Sequence, residues 1–431
     1  MVSWKRSQPS AAPTGYGRLL NAFAGAAEGC DLLIFLFDCP AITRDIVPRG
    51  FCYGDTPLRI VLLFTAWLLS CGAMAAPGDV ATLDRSTWPE QLSSPTLFDV
   101  ASRAEILMFA RGLLGTEALD EAALAQRLGL RTVNVDAISS LRQRLWERLL
   151  ANYNFAQQSC DQDASFCFLV EDLQTLREQA AKFVVSDDSY YTKWTEPSRL
   201  FHLQYLDELM RKAALSPQTS SEIDRFGDYE RSGEEMHDRL FLLSFDSAAN
   251  LQPDNTDWIA DYLRKSNLSG TFFVLGKDVQ ARLADRSASN LQSEFSKQCV
   301  GVQGWEFRSH SYWQDWQDSV RRSADLVKNK LPENYVPLFR PPEGQRRSDA
   351  GSFLRNQGLQ VALWDIDAQD GAGKLKGAQS AQRVLTLMLL WRHGVINFNM
   401  KQDAVKTALP WLITQTAQSG IGFEDCQDGF R

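Results

Sequence analysis

Most of the side chains able to do chemistry in this 431-residue chain fall in its second half. Asp246 closes the apolar run Phe241–Phe245, Arg340 follows Val336–Phe339, and Asp367 and Asp370 end the stretch that begins at Gln360. A carboxylate and a guanidinium at the ends of neighbouring runs make either a structural ion pair or a pair that grips a polar substrate. His310 also follows a short apolar stretch and is placed to hydrogen-bond a loop carbonyl. His202, His237 and His393 stand at no metal-ligand spacing from one another, and no CxxC pair points to structural zinc. Trp258, Trp313, Trp316 and Trp364 have faces that suit pyranose rings. Trp364, inside an apolar run, reads as core, and Trp313 and Trp316, just after His310, read as the better sugar contacts.

These residues need elements to position them. Short apolar runs at 241–246, 271–276, 304–308, 336–340, 360–366, 394–399 and 420–425 read as strands. Between them, 256–265, 315–330, 379–391 and 403–418 have helical character. Such alternation predicts an α/β fold with a parallel sheet of seven strands, most simply closed as a barrel, whose active groups stand at C-terminal strand ends. From 97 to 225 the spacing is helical instead, as in Ile106, Phe109 and Leu113 or Leu141, Leu145 and Leu149. An all-α domain of four to six helices is expected there, followed by a polar linker near 216–236. Tyr190, Tyr191 and Trp194 either stack on a sugar or pack against the following domain.

The ordered series Ser244-Phe245-Asp246, 270–276 (GTFFVLG), 304–312 (GWEFRSHSY), 339–344 (FRPPEG) and 363–370 (LWDIDAQD) resembles the motif set of the polysaccharide deacetylases. These are the NodB-homology proteins of carbohydrate esterase family 4, and the likeness covers about residues 237–431. It implies a distorted (β/α)7 barrel. In that family a divalent metal, commonly zinc, activates water for attack on an N-acetyl carbonyl, releasing amine and acetate. By position, Asp246 matches the general base, Arg340 the residue that orients it, and Asp367 and Asp370 two motif carboxylates. Glu343, Trp313 and Trp316 are expected to touch substrate. The metal positions hold His310, Gln314 and Ser247, where two histidines and an aspartate are usual, and Met400 stands where a histidine acts as general acid. A catalytic zinc takes about three strong protein ligands, and loss of the acid alone costs roughly 10²–10⁴ in rate. The resemblance therefore implies a polysaccharide deacetylase-like protein that acts on or binds N-acetylated glycans such as peptidoglycan or exopolysaccharide. An inactive carbohydrate-binding or envelope scaffold protein is the alternative, with the helical domain docking an envelope partner.

Composition bounds the setting. Forty-five Lys and Arg against fifty-three Asp and Glu give a net charge of −8, with no basic block to track phosphates, so nucleic acid is a poor partner. The uncharged run 60–70 (IVLLFTAWLLS), preceded by Arg59 and followed by Gly72, Ala73, Ala75, Ala76 and Pro77, reads as a secretory signal. It is too short to span a bilayer. Leu68-Leu69-Ser70-Cys71 also resembles a lipoprotein cleavage box, with lipid attached at Cys71. The expected division is a leader at 1–57, a signal at 58–76, the helical domain and linker at 77–235 and the deacetylase-like domain at 236–431. An exported chain, periplasmic or secreted, keeps Cys160, Cys167, Cys299 and Cys426, an even number suited to an oxidising compartment. A Cys160–Cys167 bridge closes an easy short loop, whereas Cys299 and Cys426 are either a second bridge or two buried thiols.

Overall fold

In the computed structural model, residues 80–249, 252–371 and 374–430 are described. The expected leader, signal and Cys71 lie outside them. Five helices come first: α1 (Pro95–Leu114), α2 (Glu121–Leu128), α3 (Val135–Ala156), α4 (Leu173–Lys182) and α5 (Thr192–Leu215). Their starts follow side-chain chemistry. Ser94, Asp120, Asn134 and Asp172 each accept from a backbone N–H of the first turn, relieving donors that a helix end leaves orphaned.

The barrel follows as β1 (Glu230–Arg231), β2 (Leu240–Asp246), α6 (Thr256–Lys265), β3 (Thr271–Val274), α7 (Gly276–Asp285), α8 (Ala288–Glu294), β4 (Cys299–Val302), α9 (Trp316–Lys330), β5 (Tyr335–Phe339), α10 (Gly351–Asn356), β6 (Gln360–Ala362), β7 (Ile366–Asp367), α11 (Gly377–Trp391), β8 (Gly394–Asn399), α12 (Ala404–Thr416) and β9 (Gly422–Phe423). All strand pairs are parallel, in the order β1-β6-β5-β4-β3-β2-β8-β7, with β9 against the start of β2. The curled α/β sheet of a distorted (β/α) barrel, preceded by helices, is therefore present.

Two strand expectations need correction. Residues 304–308 are loop, and the strand is Cys299–Val302, whose four residues are all buried and show no alternation to read. Gly304, at φ +90°, turns the chain away from it. The run 360–366 is two strands, and its central residues close the barrel. Leu363 N–H donates to Arg231 O on one sheet edge at 2.7 Å, and Asp365 N–H to Val395 O on the other at 3.0 Å. Oδ2 of Asp365 accepts from the backbone N–H of Gly233 and of Val395, both at 2.8 Å, while Oδ1 accepts from Arg148 of α3 at 3.2 Å. At this seam Gly233 and Gly394 meet backbone to backbone, and a Cβ on Gly233 would lie 2.3 Å from the Gly394 Cα.

Helices α1, α3 and α5 pack on the barrel's α11 and share its core. The join is also polar. Asp99 of α1 pairs with Arg239 and Arg392, each at 2.9 Å, Ser102 donates to Leu389 O at 2.7 Å, and Glu208 of α5 holds Arg383 at 2.7 Å. The described residues accordingly form one compact unit. The polar stretch 216–236 lies against the barrel, since Arg346 makes paired bonds of 2.6 Å to Glu230 and donates to Ser221 O. Both candidate disulfides are formed, Cys160–Cys167 and Cys299–Cys426. Among the described residues no helix is long and apolar enough to cross a membrane.

Candidate functional site at the barrel mouth

Parallel register sets Ser244 beside Asn397, Asp246 beside Asn399 and Asp367 beside Asn397, so three adjacent strands deliver their polar ends to one level. Arg340, the residue after β5, is fully buried and lies across the barrel interior. Its Nη1 donates to Ser244 Oγ at 2.8 Å, Asn397 Oδ1 at 3.0 Å and Asp246 Oδ1 at 3.1 Å. Nε reaches Ala362 O at 3.0 Å, Nη2 reaches Leu363 O at 3.3 Å, and the guanidinium sits 3.9 Å from the Phe273 ring centre. Asn397 donates in turn to Asp246 Oδ2 at 3.0 Å. Burial pushes the Asp246 carboxyl above the ordinary range, against the opposing pull of Arg340 and the Asn397 hydrogen bond. A buried carboxyl raised in this way and held at a cleft suits proton transfer or a polar grip on a ligand.

An open cleft of about 520 Å³ lies over this group. Asp246, Ser247, Glu343, Asp367 and Asp370 line it, as the sequence indicated. Asp370 accepts the Asn399 N–H on both oxygens at 3.1 Å, yet burial, with Asp367 adding to it, pushes its pKa up to about 8. It is therefore largely protonated at neutral pH. Asp367 accepts from Gln369 N–H at 2.8 Å and from its Nε2 at 2.7 Å.

Residues not foreseen complete the wall. Asn397 and Asn399 line the cleft, and their alternation within the apolar Val395, Ile396 and Phe398 was the available signal. Trp364, assigned to the core, is 6% exposed but also borders the cleft, as does Phe307. Lys212 of α5 and Glu222, paired with each other, bring the helical region into the site. No local pattern marked these two.

Four expected site residues are elsewhere. His310 is fully buried away from the cleft, with Nε2 3.3 Å from Ser319 Oγ and its ring edge-on to Phe339. It fills the space over Gly304, where a Cβ would come within 2.6 Å of Nε2, and burial pushes its pKa down to about 4. Gln314 is exposed and is not part of the cleft wall. Trp316 is core, edge-on to Phe353 with ring centres 4.9 Å apart. Trp313 is half-buried beside His310, under the Arg308 guanidinium, and does not line the cleft. At the acid position, Met400 is 1% exposed and its Sδ accepts from Thr256 Oγ1, so it has no proton to give.

The three metal positions do not fit a metal. Ser247 Oγ donates to Asp278 Oδ2 at 3.0 Å, His310 faces Ser319, and Gln314 is exposed. Beside Ser247 a buried ammonium is already in place: Lys401 Nζ lies 2.8 Å from Asp254 Oδ2 and 3.7 Å from Asp278 Oδ2. Burial opposes ionisation of Asp254, but Arg282 and Lys401 outweigh it and hold its pKa below the usual carboxylate range. Among the described residues no three His, Cys, Asp or Glu side chains converge as a ligand set.

Fold, strand-end residues and cleft define a NodB-like barrel, and comparison with known proteins agrees. Residues 233–362 match the polysaccharide deacetylase family model. Residues 233–362 are thus similar to a polysaccharide deacetylase domain. The chain is similar to a bifunctional xylanase/xylan deacetylase of Cellvibrio japonicus, 28% identical over 35% of this chain and 22% of that one. It is also similar to the peptidoglycan-N-acetylmuramic acid deacetylase PdaC of Bacillus subtilis, 28% identical over 31% of this chain and 27% of that one. The chain thus spans about a quarter of the length of these two curated relatives. A solved CE4 family pseudoenzyme from Bacillus anthracis is 17% identical, with a TM-score of 0.39 over 44% of this chain and 65% of that one.

Proposed function

We propose that this protein binds a hexosamine-containing glycan across the barrel mouth and does not deacetylate it by the metal route of its relatives. One observation carries this: the residues at the three metal positions face three different surroundings, while the Asp246–Arg340–Asn397 group and the cleft above it are intact. With no ligand set for a metal among the described residues and Met400 at the position of the family's general acid, Asp246 is read as a binding group. Similarity to enzymes acting on xylan and peptidoglycan supports a polysaccharide ligand. Retention of Asp246 and Arg340 is what favours the competing reading, a metal-dependent polysaccharide deacetylase. Export to an envelope or extracellular compartment is part of the proposal, supported by the apolar segment at 60–70 and by two disulfides. An envelope protein docked through the helical layer is a further expectation. The test is acetate release from N-acetylated oligosaccharides, with metal content measured on the same sample. No release and no stoichiometric metal support binding, and chelator-sensitive release establishes the enzyme.

A further inference from the structure

Charge in the cleft narrows the ligand. Five carboxyl groups line it, Glu222, Asp246, Glu343, Asp367 and the largely protonated Asp370, against the two ammonium groups of Lys212 and Lys374. Three of these groups are already committed, because Lys212 is paired with Glu222 and Asp246 with buried Arg340. Asp367 and Glu343 form no ion pair among the described residues and accept hydrogen bonds from neutral neighbours, Gln369 and Gln345, although Asp367 also lies in the field of Lys212, Arg340 and Arg383. Among the described residues that line the cleft, Lys374 is then the one cation without an ion pair that an anionic sugar substituent could meet. A second feature points to a sugar: the indole N–H of Trp364, a residue 94% buried at the cleft wall, has no acceptor among the described residues. A ligand that packs on the indole and displaces the atoms enclosing this N–H gains a donor for a ring or hydroxyl oxygen.

Building on the glycan-binding reading, we infer that the cleft selects hexosamine units bearing a free ammonium over N-acetylated units, with Asp367 as the residue that receives the charge. An acetamido group is neutral and offers the Asp367 carboxylate no direct ion pair to add to the field of Lys212, Arg340 and Arg383. A protonated amine supplies one, together with donors that Asp367 and Glu343 can accept. Glycans carrying carboxylates meet the wrong sign. Free amine units are what amide hydrolysis of an N-acetylhexosamine polymer produces, so the protein takes its ligand after a deacetylation step, and the helical layer builds one wall of the site through Lys212 and Glu222.

The experiment is calorimetric titration of the purified protein with the tetramer of glucosamine and with the tetramer of N-acetylglucosamine, at about pH 6 so that the amines are protonated. The amine tetramer is expected to bind at least about tenfold more tightly, a difference of about 1.4 kcal/mol. Asp367→Asn should bring the ratio near one, whereas Asp325→Asn, an exposed acid outside the cleft, should leave it unchanged. Equal or tighter binding of the acetylated tetramer overturns this inference and leaves the glycan reading standing. Binding of neither tetramer overturns both. A preference that survives Asp367→Asn, or falls equally in Asp325→Asn, removes Asp367 from its role.

Discussion

Arg340 uses its guanidinium to tie together β2, β6 and β8, and a lysine cannot copy that fork. Arg340→Lys should lower stability by about 3 kcal/mol, because buried acceptors at Ala362 and Leu363 lose their donors and Asp246 loses its close guanidinium partner. Urea unfolding of both proteins checks this, and a loss below about 1 kcal/mol would place the pair at the periphery. Asp370 sets a pH signature. Its folded pKa of about 8 lies above the ordinary carboxyl value, so the folded state holds more protons than the unfolded one between about pH 4 and 8. Stability contributed by the protonated form is complete below pH 4 and is lost as pH rises through 8, by at most about 1.4 kcal/mol per unit. Asp370→Asn keeps an acceptor for Asn399 and removes the titration. The variant should therefore melt above the parent at pH 8 and match it near pH 4, and a pH-independent gap would contradict the assignment. Asp246 and Arg340 were legible because each ends an apolar run, and Asp367 and Asp370 through the likeness of 363–370 to a family motif. His310 and Trp316 misled because a residue after a strand can turn inward as easily as toward the mouth, and only Gly304 and Phe353 decide the direction.

At the scale of elements, long periodic segments were readable and short buried ones were not. Helices α6, α9, α11 and α12 fall where the spacing put them, each with an apolar stripe toward the sheet. The two-residue strands β1 and β7 and the four-residue β4 have no period of their own, since residues buried on both faces do not alternate. The seam was invisible for a different reason. Asp365 looks like a further cleft carboxylate in the 363–370 motif, yet its side chain is 2% exposed and serves as an acceptor for two backbone N–H groups, of Gly233 after β1 and of Val395 in β8. Asp365→Ala should cost about 3 kcal/mol by leaving those donors and Arg148 without their partner. Hydrogen exchange should show it first at Gly233 and Val395. Protection unchanged at both would refute the seam.

For the whole molecule, the helices and the barrel behave as one folding unit. Asp99, 1% exposed, faces two arginines of the barrel, and α1 buries residues on every side between its own helical neighbours and α11. Removing residues 80–232 would uncover the apolar surface of α11 and leave Arg383 and Arg392 without Glu208 and Asp99. The isolated segment 233–431 should aggregate or show no cooperative melt, although it contains every residue of the family motifs. A cooperative melt of that fragment at the temperature of the full chain would contradict this. Composition had already set aside nucleic acid, but nothing in a linear pattern links Lys212 to a cleft built mainly beyond residue 243. That wall exists only once the two regions pack.

One preparation can decide between binding and catalysis. Zinc, nickel and cobalt are quantified in the native protein, binding of hexosamine oligomers is titrated before and after chelation, and acetate is measured throughout. The expected result is no stoichiometric metal, no acetate, and a binding isotherm that the chelator leaves unchanged. Stoichiometric metal together with acetate release that the chelator abolishes would contradict the central claim, that the deacetylase site of this barrel has become a glycan-binding site.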